Sequence, residues 1–110
     1  MKILVVLLFV FLTNSAFAGY SDDVNIVEIF QDENFQNYMA LGINGEVQSR
    51  PADCVNPTYQ YAIDLTTEYG KRIQSTLLMA FAAGKKVSLI GTGQCNINNV
   101  EVLRRVVVKF

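Results

Sequence analysis

The chain contains two cysteines and no histidine, which narrows the chemistry open to it before any element is placed. Without histidine, no serine, threonine or cysteine has the usual base beside it. Lys71 and Ser75 stand one helical turn apart, a spacing that any solvated helix face produces. Asp22-Asp23 and Asp32-Glu33 are paired carboxylates, yet neither fits a calcium-loop spacing, and both fall where a loop or the start of the mature chain is expected. Gly91-Thr92-Gly93 lacks the third glycine and the following helix of a phosphate-binding turn. No catalytic set, metal set or cofactor motif emerges, and the expectation is a protein that is not an enzyme.

Binding residues are easier to find. Tyr59-Gln60-Tyr61, with Asn56 and Asn44, supplies the aromatic faces and amides with which proteins hold sugars, so Tyr59, Gln60 and Tyr61 are the candidate ligand contacts. The competing reading makes these tyrosines one face of a core strand with their hydroxyls at its rim. Lys85-Lys86 and Arg104-Arg105 are basic pairs at a helix end and on a strand, and the net charge of −1 gives no basic surface for nucleic acid.

The first eighteen residues decide the compartment. Lys2 precedes an apolar run from Ile3 to Leu12, and Ala16-Phe17-Ala18 places small residues at the positions a signal peptidase inspects. Residues 1–18 therefore read as an export signal, with cleavage before Gly19 and a single domain over 19–110. The run is shorter than the ~20 residues a span needs, and no second such run follows it. Export to the periplasm or outside the cell delivers Cys54 and Cys95 to oxidising surroundings. Without a Cys-x-x-Cys spacing or a histidine for zinc, they are expected to pair as a structural disulfide.

The elements that position these residues follow from periodicity. Val24 to Gln31 and Tyr38 to Ile43 are extended apolar segments separated by Asp32-Glu33-Asn34, a hairpin pattern that ends at Asn44-Gly45. Ser49 to Pro57, with two prolines and Cys54, reads as an irregular connection. Tyr59, Tyr61, Ile63 and Leu65 alternate with Gln60, Ala62 and Asp64 as a half-buried strand. Thr66 or Thr67 can cap a helix whose stripe is Ile73, Leu77, Ala80, Phe81 and Gly84, with Phe81 and Leu77 as core anchors and Gly84 as the stop. Val87 to Ile90 and Val100 to Phe110 are the last strands, with a bulge or an emerging edge expected near Arg104-Arg105. That helix stripe leaves Leu78, Met79 and Ala82 on other sides of an almost wholly apolar turn, a face either for a second copy or another protein or for cover by the Pro51–Pro57 loop and the N-terminal segment. Three strands, a helix and two strands make a mainly β fold with one helix, the βββαββ order of a five-stranded, partly open OB-like barrel; an open antiparallel sheet covered by the helix satisfies the same pattern.

From Cys54 through the Tyr59–Leu65 strand, the Leu77-Leu78-Met79-Ala80-Phe81-Ala82 helix centre and Gly84-Lys85-Lys86-Val87 to Cys95, the chain resembles a group of short exported bacterial proteins of unassigned function. Its layout is also distantly similar to the OB-fold binding subunits of ring-forming bacterial toxins of the subtilase and pertussis-like kind. That likeness implies a binding protein, an oligomer and a glycan or cell-surface ligand, and it transfers no individual binding residue. The expected function is that of an exported binding domain of this kind. The alternative is a stand-alone structural or accessory protein without a small ligand.

Overall fold

The computed structural model describes residues 17–110, so residues 1–16 of the expected export signal lie outside the described residues. The order is β1 (Tyr20–Val24), β2 (Ile26–Phe30), a single 3-10 turn (Glu33–Phe35), β3 (Tyr38–Ile43), β4 (Tyr61–Asp64), α1 (Glu68–Ala82), β5 (Val87–Gly91) and β6 (Glu101–Val108). The strands form one six-stranded sheet in the order β1-β5-β6-β4-β3-β2. All neighbours are antiparallel except β4 and β6, which run parallel because α1 and β5 intervene between them.

The count is six strands rather than the expected five, and the cause is local. β1 and β2 are one extended segment interrupted at Asn25, yet they occupy opposite edges of the sheet. A sheet whose two edges are joined by one residue has to curl, and this one closes into a partly open barrel with OB connectivity. The junction is bonded to the end of β3: Asn44 N–H donates to the Asn25 carbonyl at 3.0 Å, and Asn25 N–H donates to Asn44 Oδ1 at 2.7 Å. Asp22-Asp23, expected in a loop or at the start of the mature chain, lies within β1 at an irregularity of its pairing with β5.

Inside the barrel Val24, Ile26, Met39, Leu41, Ile43, Tyr61, Ile63, Val87, Leu89 and Leu103 form one apolar cluster, to which α1 contributes Ile73, Leu77 and Ala80. Thr67, not Thr66, caps the helix by accepting from Gly70 N–H at 2.9 Å. Gly70 is needed for packing: a Cβ there would lie 1.7 Å from the Asp64 carbonyl oxygen, so only glycine lets the first turn rest on the end of β4. The helix stops at Gly84, whose φ of +65° suits glycine, and Lys85 N–H returns to the Ala80 carbonyl at 2.9 Å.

Phe81 is a correction: it is 47% exposed and is not a core anchor. Leu77, four residues earlier, is wholly buried and faces the barrel. The buried helix positions are 70, 73, 77 and 80, a stripe too narrow to include 81 as well.

The bulge near Arg104 is present. Arg105 stands opposite Ile90 while Leu103 stands opposite Gly91, so Arg104 is the extra residue. It changes which residues of β6 point inward. Glu101 and Leu103 are buried before it, and Val106 and Val108 pack on the core after it, so the simple alternation of Val100, Val102, Val106 and Val108 does not put them on one face.

Cys54 and Cys95 are joined, as expected, with their Cα atoms 5.2 Å apart. The bond fastens the irregular 51–57 segment to the loop between β5 and β6. Among the described residues no helix is long and apolar enough to cross a membrane.

Candidate functional site

Strand alternation sends Met39, Leu41, Tyr61 and Ile63 inward and leaves Tyr38, Ala40, Ala62 and Asp64 on the outer face of β3 and β4. Across that face four aromatic rings gather. Phe30 on β2 lies 5.5 Å from Tyr59 and 6.3 Å from both Phe35 and Tyr38, and Phe35 lies 5.9 Å from Tyr38, measured between ring centres. These separations fall within the range of favourable offset and tilted ring pairs. Ala40 is small enough to form the floor between the rings, in a depression of about 150 Å³ that Asn98 and Val100 complete.

Two further depressions adjoin it, and Tyr38 lines all three. The largest, about 340 Å³, runs past Asn37, Asp64, Thr66, Thr92, Gln94 and Asn96 over Val102. The other, about 300 Å³, lies against the 3-10 turn and includes Gln31, Asp32, Glu33 and Gln36. Amides, hydroxyls and carboxylates line these clefts, with no lysine or arginine among them. An anionic ligand would find no cation to pair with there, whereas a ligand rich in hydroxyl groups would find both acceptors and donors.

Local bonding holds the site in shape. Asn56 Oδ1 accepts from Thr58 N–H at 2.9 Å and from Tyr59 N–H at 3.0 Å, and Asn56 Nδ2 donates to the Asn98 carbonyl at 3.3 Å. Arg50 Nη2 donates to the Asn56 carbonyl at 2.7 Å. Asn56 therefore positions Tyr59 instead of reaching a ligand itself. The Tyr59 hydroxyl donates to Glu28 Oε1 at 3.3 Å, and desolvation, followed by the Glu28 charge, raises its pKa above the ordinary tyrosine value. Asp64 Oδ1 accepts from the Thr66 hydroxyl at 2.6 Å and from Thr66 N–H at 2.9 Å, and these bonds hold the Asp64 carboxyl below its usual pKa. Asp64 thus stays ionised and available as an acceptor at the edge of the largest cleft.

Of the three candidate contacts taken from the sequence, Tyr59 alone belongs to this surface. Tyr61 is completely buried, its hydroxyl 2.9 Å from Ser21 Oγ, and its pKa is pushed up to about 12, chiefly by burial. Gln60 Oε1 accepts from Ile43 N–H at 2.8 Å and so braces β3. Asn44 holds the barrel junction. Sequence reading missed Phe30, Phe35 and Tyr38 as partners of Tyr59, because nothing local relates position 59 to positions 30–38. The signal that existed was the excess of aromatic residues around the 3-10 turn.

The helix residues Leu78 and Met79 are 40% and 46% exposed, and Ala82 is also exposed. These three make an apolar strip on the side of α1 away from the buried stripe, whereas Phe81 flanks that stripe. Among the described residues no cluster of metal-ligating side chains occurs.

The molecule is thus an OB-type barrel whose outer face at β2, β3 and β4 carries an aromatic and polar cleft lined by amides, hydroxyls and carboxylates and by no lysine or arginine. Comparison of the chain with protein-family models, curated proteins and solved structures finds no match.

Proposed function

We propose that this chain is an exported binding domain whose outer cleft takes an uncharged, hydroxyl-rich ligand, a neutral glycan being the class that fits best. The observation that carries this reading is the convergence on Tyr38 of a four-ring cluster and a cleft lined by Asn37, Asp64, Gln94 and Asn96. Aromatic faces cover the apolar side of a pyranose ring, while amides and a carboxylate bond its hydroxyls. The absence of basic side chains from the lining argues against phosphate and nucleic-acid ligands.

A glycan array probed with the mature chain, followed by titration of the best binder, tests this. Tyr38→Ala and Tyr59→Ala should each weaken binding by about tenfold or more while the fold persists. Binding that increases with the negative charge of the glycan would overturn the neutral-ligand assignment. An array without any binder would leave the accessory-protein reading in its place.

We further propose that the exposed strip of Leu78, Met79 and Ala82 meets a second copy of the chain. Large apolar side chains adjacent on one helix face support this, since solvated helices ordinarily carry polar residues there. Light scattering should show an oligomer that Met79→Glu dissociates without loss of secondary structure. A wild-type monomer at high micromolar concentration would overturn it.

A further inference from the structure

Glu101 is the only charged residue in the core of the described residues, and it is 0% exposed. Its Oε2 accepts from Gly19 N–H at 2.9 Å and from Gly93 N–H at 3.0 Å. Its Oε1 is buried with no hydrogen-bond partner, and no lysine or arginine among the described residues forms an ion pair with it. A buried carboxylate held by two neutral donors is poorly compensated.

The surrounding chain is shaped to admit this side chain. A Cβ on Gly91 would lie 2.1 Å from Glu101 Oε2, and a Cβ on Gly19 would lie 2.4 Å from Oε1 and 2.7 Å from Val47 Cγ1. Both glycines are therefore required for Glu101 to lie where it does. Gly19 is itself buried and bonded on both sides, its carbonyl accepting from Gly91 N–H at 2.9 Å. Immediately before it Ala18 is half-buried, and Phe17 is 72% exposed.

Gly19 is also the residue that the export signal, if cleaved after Ala18, leaves as the first of the mature chain. We propose that Glu101 is the internal receptor for the new N-terminus, and that removal of the signal completes the core by converting a peptide N–H into an ammonium group beside the buried carboxylate. Hydrolysis of the Ala18–Gly19 amide by water leaves a carboxylate on Ala18 and an amine on Gly19, which takes up a proton. One neutral donor becomes three charged ones, enough to serve Oε1 as well as Oε2. Cleavage precedes folding, because a buried Gly19 is beyond the reach of a peptidase. The uncleaved chain consequently has the weaker fold, which suits a polypeptide that must cross a membrane unfolded.

The inference depends on processing, not on the ligand, and its test is separate from the glycan experiment. Mass measurement of the exported protein should place its first residue at Gly19; any other N-terminus overturns the proposal. Urea unfolding is then compared for the free-amine chain and the same chain acetylated at Gly19, each with Glu101 and with Glu101→Gln. Acetylation removes the charge and two of the three N–H donors and keeps one, as in the uncleaved chain, and the space occupied by Ala18 shows that an added group fits. It should raise the unfolding constant of the Glu101 chain roughly tenfold or more and leave that of Glu101→Gln nearly unchanged. An equal effect in both overturns the ion pair. If Glu101→Gln does not fold, the Glu101 chains decide alone: equal stability of the free and acetylated forms overturns the proposal.

Discussion

Tyr61 and Tyr59, two residues apart, show how burial sets the role of one side-chain type. Tyr61 lies in the core with its hydroxyl on Ser21, while Tyr59 lies in the outer ring cluster with its hydroxyl on Glu28. The Tyr61 pKa of about 12 carries a consequence for stability. A tyrosine in the unfolded chain ionises near pH 10, so the contribution from Tyr61 is complete below that pH. It is lost as pH rises from about 10 to 12, because the unfolded chain releases a proton that the folded one retains. Tyr61→Phe should therefore flatten the fall in stability over that window relative to wild type. The difference should be about 2 kcal/mol, read from urea unfolding at stepped pH. At neutral pH the same variant should cost about 1–2 kcal/mol through the lost bond to Ser21. Asn56 acts at this scale too: Asn56→Ala removes the acceptor for the backbone N–H groups of Thr58 and Tyr59, and should cost about 1–2 kcal/mol in thermal or urea unfolding.

At the scale of the helix, close packing is concentrated in α1 and its approach to β4. Gly70→Ala places a methyl group against the Asp64 carbonyl and should destabilise the protein by about 2–3 kcal/mol despite the better helix propensity of alanine. A variant as stable as wild type would mean that the first turn can lift away from β4. Leu77→Ala opens a cavity in a fully buried position and should cost about 2–5 kcal/mol. Phe81→Ala, on the half-exposed side of the helix, should cost under about 1 kcal/mol in the isolated subunit. Circular dichroism during urea unfolding separates the two. A large loss for Phe81→Ala under conditions where the chain is monomeric would place that ring in the fold instead of at its surface.

For the molecule as a whole, the barrel and the disulfide divide the work. The barrel closes through Asn25 and Asn44, and the cross-link over 41 residues secures the two long loops that border the binding face. Replacing Cys54 and Cys95 by serine should lower stability by about 4 kcal/mol on the loop-entropy account. Because Asn56 links the 51–57 segment to Asn98 and Asn99 on the other side of the bridge, the same variant should also free Tyr59. Hydrogen exchange should rise first in residues 51–60 and 92–99, ahead of β3 and β5. Exchange that rises uniformly would mean that the bridge supports the core and the loops equally.

The order of strands and helix, the helix stop at Gly84, the disulfide and the Arg104 bulge were legible in the sequence. Each depends on local periodicity, on backbone preferences or on a count of residues. The split of the first strand at Asn25 was not, because it arises from the demand that one segment serve both edges of a closing sheet. Phe81 and Leu77 share an apolar pattern, and only the direction from which β4 and β6 meet the helix decides which one is buried. The cluster of Phe30, Phe35, Tyr38 and Tyr59 exists through antiparallel pairing of β2, β3 and β4, with Asn56 setting the last ring. Nothing local in the sequence sets Glu101 apart from the solvated charges of the chain. Gly19, Gly91 and Gly93 place it inside, and the proximity of Gly19 to Glu101 comes from tertiary packing alone.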